Sequence, residues 1–192
     1  MQAAVVARID LVQIREKNLS ASVLYQLAKR SANLATRSTT KILINDRSDI
    51  AAAAGADGVH LTTSSLPTAA VRQTFGERFL VGVSTHSLEE ASLARNAGAD
   101  FVVFGPVFET AAKSSYGEPA GLTSLATVCS QLAPFPVFAL GGVTMQNARE
   151  CVSSGARGIA AIRMLQQPDR LAEIVAEIRT IHDETRTETK SG

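Results

Sequence analysis

Tryptophan is absent from this chain of 192 residues, and aromatic residues make up only 5% of it. The interior must therefore be built from aliphatic side chains, with alanine and glycine letting elements approach closely. Cysteine is scarce as well, with Cys129 and Cys151 the whole complement. They lie far apart and form no CxxC pair, which argues against a zinc or dithiol motif and for buried thiols in a reducing compartment. Excess charge is missing too. Nineteen Lys and Arg face eighteen Asp and Glu, a net charge of +1, so there is no basic stripe of the kind nucleic-acid binding requires. No apolar run approaches the length of a membrane span. The opening MQAAVVARIDLVQIREK lacks the layout of a secretory signal. The expectation is a cytoplasmic protein that handles small molecules and contacts neither nucleic acid nor membrane; a homo-oligomer stays open.

What the chain does have is a repeated alternation. With 45% hydrophobic and 19% charged residues it has the balance of one globular domain. Short aliphatic runs without strict alternation read as strands buried on both faces. They are Leu11–Ile14, Ile42–Ile44, Gly58–Leu61, Phe79–Val83, Phe101–Phe104, Pro136–Leu140 and Gly158–Ile162. Residues 20–37 have helical spacing, with Val23, Leu24, Leu27, Ala28 and Leu34 in phase. Residues 87–97 open with Ser87 and carry Glu90 three positions on, a capping box. A last helix is predicted over 168–182, starting near Pro168, and residues 2–9 read as the end of a helix. Residues 183–192 are polar and predicted to form a disordered tail.

The phrases AAAAGADGVHL, RNAGADFVVFG and VSSGARGIAAI each pass from a helix end through a glycine into a strand. That glycine fits a helix C-cap of positive φ. The pattern predicts one domain over residues 1–182, a (β/α)8 TIM barrel lacking its first strand and most of its first helix. Seven strands in 192 residues fall short of the about 250 residues that a complete barrel usually takes. An open doubly wound sheet is the alternative.

In such a barrel the chemistry sits where strands run out into βα loops. The first run ends in Gln13, Arg15 and Lys17. A guanidinium and an ammonium two apart can clamp a diphosphate, one as a fork and one as a point charge. Whether Gln13 and Arg15 point into the barrel or toward the helices stays open from spacing alone. The second run ends in Asn45 and Asp46. These are hard oxygen donors suited to Mg²⁺ carried with substrate phosphates, and also ordinary turn residues. His60 in GVHL has no His or Cys close in sequence and reads as a packed, hydrogen-bonded ring; His182 reads as surface. Ser84 ends the fourth run shortly before His86 and can donate to a phosphate or a ring nitrogen. The segment FGPVFETAAKSSYGEPAGL is long for a βα loop and reads as a lid, with Thr110 and Lys113 bracketing a phosphoryl oxygen. Gly141-Gly142, between a strand and a helix, offers backbone N–H groups to a phosphate, and Arg163 follows the last strand in the same region.

On VQIREK (12–17), ILINDR (42–47), DGVHL (57–61), GVSTHSLEEA (82–91), GADFVVFGPVFET (98–110) with Lys113, and ALGGVT (139–144), the chain resembles the thiamine phosphate synthase family. That family includes the TenI-type thiazole tautomerases. The resemblance implies a (β/α)8 barrel whose members begin with one further strand and helix. It implies a transferase that joins 4-amino-5-hydroxymethyl-2-methylpyrimidine diphosphate to a thiazole phosphate and releases diphosphate, with Mg²⁺ as cofactor. Carried over to this chain, Gln13, Arg15 and Lys17 hold the pyrimidine diphosphate, and Asn45 holds the same substrate beside Asp46, the Mg²⁺ ligand. Ser84 contacts the reacting groups, Thr110 and Lys113 bind phosphate in the lid, and Gly142, with Arg163 beside it, receives the thiazole phosphate. Lys17, Ser84 and Lys113 are then the groups nearest the chemistry.

Two positions depart from the synthase pattern. GVHLTTSSLP puts Ser65 where that pattern has a second carboxylate ligand, and serine is the poorer partner for Mg²⁺. Arg163 stands where the synthase has a serine. The tautomerase branch, which uses no metal, relies on a histidine at the position of Pro106. It remains an alternative, as does a non-catalytic barrel that only binds a phosphorylated ligand.

Overall fold

The structure, a computed structural model, describes residues 1–62, 64–110 and 118–191. Its strands are β1 (Leu11–Ile14), β2 (Lys41–Asn45), β3 (Gly58–Leu61), β4 (Leu80–Thr85), β5 (Phe101–Phe104), β6 (Val137–Leu140) and β7 (Gly158–Ala160). Helices intervene as α1 (Gln2–Val6), α2 (Ala21–Ala35), α3 (Ser48–Ala54), α4 (Thr68–Phe75), α5 (Leu88–Asn96), α6 (Gly121–Leu132), α7 (Ala148–Ser153) and α8 (Leu171–Ser191). Every strand matches one of the expected runs. All pair in parallel, in sequence order from β1 to β7. A doubly wound sheet would reverse its order at a switch point, so that alternative is excluded.

The sheet curls into a barrel wall. Leu11 of β1, Leu43 of β2, Leu80 of β4, Phe101 of β5, Phe138 of β6 and Ala160 of β7 meet in one apolar cluster. A flat sheet of seven strands could not bring its two edges together in this way. The register sets the layers of that interior. Gln13, Leu43, Gly58 and Leu80 form one row of paired positions. Asn45, His60, Gly82 and Phe101 form the next. This decides the orientation left open by spacing: Leu11 and Gln13 share the inward face, whereas Val12 and Ile14 pack with Leu24 and Ala28 of α2. Glycine makes the interior possible, because a Cβ on Gly82 would lie 2.2 Å from Phe101 Cζ. The vacated space holds Phe101, whose ring meets Phe138 edge-on at 5.4 Å.

The barrel has a seam. Among the described residues β7 does not pair with β1. Outside the seam α1 packs against both α8 and α2, and Ala4 and Ala7 are buried with Leu171 and Val175. An Arg179 Nη donates to Arg8 O at 2.8 Å, and the guanidinium pairs with Asp10. Helix α8 runs on to Ser191, past residue 182 where the sequence reading ended the helix and began a disordered tail. Ile181 and Thr185 are 7% and 8% exposed, so the buried stripe continues beyond Asp183, and the glutamates of the segment favour helix. Among the described residues no helix is long and apolar enough to cross a membrane.

Candidate functional site

The strand ends at the C-terminal face present polar residues on the inward parity. Gln13 Nε2 donates to Asn45 Oδ1 at 2.8 Å, and Asn45 Nδ2 donates to Asp46 Oδ2 at 2.6 Å. Ser65 Oγ donates to the second oxygen, Asp46 Oδ1, and itself accepts from Thr62 N at 2.6 Å. Asp46 has φ +59°, a left-handed conformation that Asp tolerates better than most residues. Its N–H donates to His60 O at 3.0 Å. The next residue, Arg47, is engaged by Asp49 through two hydrogen bonds.

His60 extends this network to β4. Its Nε2 lies 2.8 Å from Ser84 Oγ. The side chain is 4% exposed. Burial pushes its pKa down to about 4, with the nearby Asp46 charge opposing the shift, so the imidazole is neutral near pH 7. His60 was read from sequence as packed and hydrogen-bonded, and it is. What that reading missed is the partner. Its inward parity, shared with Asn45 and Ser84, is the signal that would have found it. Beyond β1, Arg15 and Lys17 are exposed and carry no ion pair among the described residues.

A second polar patch forms beyond β6 and β7. Gly141 and Gly142 have φ of +94° and +64°, and a Cβ on Gly142 would fall 2.5 Å from Glu109 O. Glycine is required here both by conformation and by the close pass of the loop after β5. Asn147 braces the turn, accepting from Thr144 N at 2.7 Å through Oδ1 and donating to Gly142 O at 3.1 Å through Nδ2. The N–H groups of Gly142 and Val143 meet no acceptor among the described residues. Arg163 opens a short 3₁₀ turn, Arg163–Leu165, directly after β7. It is exposed and unpaired among the described residues. Thr110 is half-buried at the end of the described part of its loop. Lys113 lies outside the described residues. Pro106 supplies no titratable group at the position where the tautomerase reading needs a histidine.

The site thus divides into two groups. Side-chain hydrogen bonds join Gln13, Asn45, Asp46 and Ser65, the His60–Ser84 pair meets that group through the backbone bond from Asp46 N to His60 O, and Arg15 and Lys17 stand just beyond β1. Gly142 and Arg163 belong to the β6 and β7 ends. One carboxylate serves the first group, and among the described residues no three His, Cys, Asp or Glu side chains cluster to hold a metal. A lone carboxylate among hydroxyls and an amide is a weak cage for a bare cation. It suits Mg²⁺ that arrives with phosphate oxygens supplying most of the ligand charge.

Comparison with known proteins points the same way. A sequence model described as thiamine monophosphate synthase matches residues 1–165. A putative thiamine-phosphate synthase of Geobacter sulfurreducens is 41% identical over 189 residues, covering 98% of this chain and 88% of the relative. The thiamine-phosphate synthase of Clostridium novyi is 37% identical over 169 residues, covering 88% of this chain and 82% of the relative. Among solved structures, a thiamine phosphate pyrophosphorylase from Pyrococcus furiosus superposes with a TM-score of 0.84 at 30% identity, covering 96% of this chain and 88% of that one.

Proposed function

The chain belongs to the thiamine monophosphate synthase family, and we propose that it is a thiamine-phosphate synthase working on soluble small molecules in the cytoplasm. It transfers the 4-amino-2-methyl-5-pyrimidinylmethyl group from its diphosphate to a thiazole phosphate. The observation that carries this reading is the hydrogen-bonded chain Gln13–Asn45–Asp46 beside Arg15 and Lys17, which carry no ion pair among the described residues. Amide and carboxylate groups suited to a pyrimidine and Mg²⁺ lie next to cations suited to a diphosphate.

In the reaction the bond from the methylene carbon to oxygen breaks and diphosphate leaves with the electron pair, the pyrimidine amino group helps carry the resulting cation, and the thiazole nitrogen then bonds to the methylene carbon; a carboxylated thiazole phosphate loses CO₂ as well. Arg15 and Lys17 stabilise the charge that grows on the leaving oxygens. Asp46 would hold Mg²⁺ together with the diphosphate, and the bound ion supplies Lewis-acid stabilisation of the leaving group. Gln13 and Asn45 orient the pyrimidine diphosphate. Neutral His60 holds the Ser84 hydroxyl in place beside the reacting carbon. The Gly142 and Val143 N–H groups and Arg163 bind the thiazole phosphate, and Thr110 adds a phosphate contact from the segment after β5.

The test is direct measurement of thiamine phosphate from the pyrimidine diphosphate and either a plain or a carboxylated thiazole phosphate, across a Mg²⁺ titration. Mg²⁺-dependent product supports the reading. No product at any Mg²⁺ concentration overturns it in favour of a barrel that only binds phosphorylated ligands.

A further inference from the structure

We propose a second binding site at the opposite end of the barrel, one that takes a planar aromatic ring bearing an anionic group. A cavity of about 360 Å³ opens at the N-terminal ends of β2, β3 and β4, lined by Lys41, Asp57, Phe75, Arg78, Phe79 and Leu80. That volume falls within the range of small-molecule sites. Leu80 begins β4 and Ser84 lies near its other end. At about 3.3 Å per residue the two stand roughly 13 Å apart, so an occupant here is not a substrate at the C-terminal face.

The cavity pairs an aromatic wall with a surplus cation. Phe75 and Phe79 stack at 4.7 Å between ring centroids with 27° between planes. Both are partly buried against the core, so the wall is fixed. Lys41 and Asp57 form an ion pair at 2.8 Å, and the second Asp57 oxygen accepts from Ile42 N at 2.9 Å. The carboxylate is thereby matched in charge and in hydrogen bonds. Arg78 is exposed at the rim and has no anion among the described residues. The turn that carries Arg78 is braced from beneath, because Arg72 Nη1 donates to Gly76 O and to Phe79 O, each at 2.8 Å. The N-terminal face of such barrels ordinarily serves stability. Arg72, Asp57 and Lys41 fill that role here, and it leaves Arg78 and the part of the half-buried rings that lines the cavity unused. A flat ring lying on the phenylalanine wall with a carboxylate or phosphate on the guanidinium satisfies both.

This site is independent of the synthase reading, and its test uses no enzymatic activity. The isotope-labelled full-length chain is titrated with 1-naphthoate, with neutral 1-naphthol as the ring without charge and inorganic phosphate as the charge without a ring. Saturable shifts of the amides of Lys41, Asp57 and residues 75–80 by 1-naphthoate at about millimolar concentration or below are expected. Arg78→Ala, a change at an exposed side chain, should weaken that binding about fivefold, as for one charge-assisted contact at a solvated rim. Added salt should weaken it as well. Equal affinity for 1-naphthol, no effect of Arg78→Ala, or shifts confined to Gly142 and its neighbours at the other end would each overturn the proposal.

Discussion

Burial of His60 holds its imidazole pKa down to about 4, against an ordinary value of 6.5. Between those two pH values the unfolded chain takes up a proton that the folded chain refuses. Stability is therefore fully present above about pH 6.5 and is lost as pH falls toward 4, by up to about 3 kcal/mol. Urea unfolding of the protein and of His60→Gln, run from pH 4.5 to 7, checks this: the variant should show a shallower dependence by that group's share. Equal slopes would mean that the ring is not held neutral. On the proposed Mg²⁺ role, the neighbouring Asp46–Ser65 pair sets the response to metal. Asp46→Ala removes the one carboxylate of the network and should lower kcat/KM for coupling by at least about a hundredfold. Ser65→Asp replaces a hydrogen-bond donor to Asp46 with a second carboxylate and should raise kcat/KM at low Mg²⁺. Asp46→Ala with wild-type coupling at every Mg²⁺ concentration would end the metal role. The place of Asp46 just past the end of β2 was legible in the sequence, because the aliphatic run stops at the Asn-Asp pair. The Ser65 hydroxyl on its carboxylate was not, because that contact crosses from one βα loop to the next.

Turns and caps carry more of this fold than their length suggests. Asp57 and Asp100 occupy the same place in the first two repeated phrases, and each reaches back to the preceding strand. Asp57 Oδ2 accepts from Ile42 N at 2.9 Å and Asp100 Oδ2 from Val81 N at 2.7 Å. In the third phrase Arg157 stands there, and only the backbone bond from its N–H to Val137 O remains of the pattern. The repeat showed in the sequence as helix end, glycine and strand, but the backward reach of its aspartates needs strand pairing to be seen. The capping box at Ser87 was legible in half. Ser87 Oγ accepts from Glu90 N as expected, whereas Glu90 turns to His86 N. The Gly141–Thr144 turn, proposed above to receive the thiazole phosphate, rests on one such contact. Asn147 holds it with two hydrogen bonds, so Asn147→Ala should loosen the Gly142 and Val143 N–H groups without touching the Asp46 network. The expected result is a KM for the thiazole phosphate raised about fivefold, the worth of about 1 kcal/mol, with kcat and the KM for the pyrimidine diphosphate little changed. Equal loss in both KM values would mean a general structural fault and not a phosphate turn.

At the scale of the whole molecule, alternation of strand and helix was readable from end to end, because parallel strands buried on both faces announce themselves as short aliphatic runs. Closure was not readable, since no local pattern states whether the last strand meets the first. The seam between β7 and β1 has a physical consequence. Strands β3, β4 and β5 have a paired neighbour on each side, and Val59, Val81 and Val102 within them are fully buried. β7 has three residues, none of them fully buried, and among the described residues it pairs only with β6. Backbone groups on the free sides of β1 and β7 rely on solvent or on the α1 and α8 cover, and protection from exchange tracks such local stability. Amide hydrogen exchange on the full chain should rank β7 and β1 below the central strands, with their free-side amides at least about tenfold faster than those of Val81 and Val102, a gap of about 1.4 kcal/mol in opening free energy. Arg179→Ala removes the bonds from α8 to Arg8 O and Asp10 beside β1. It should speed exchange in β1 while leaving β4 and β5 unchanged, because the tie it cuts spans only the seam. Uniform protection across all seven strands, insensitive to Arg179→Ala, would mean that the two edges are covered by a pairing partner and do not behave as free edges in solution.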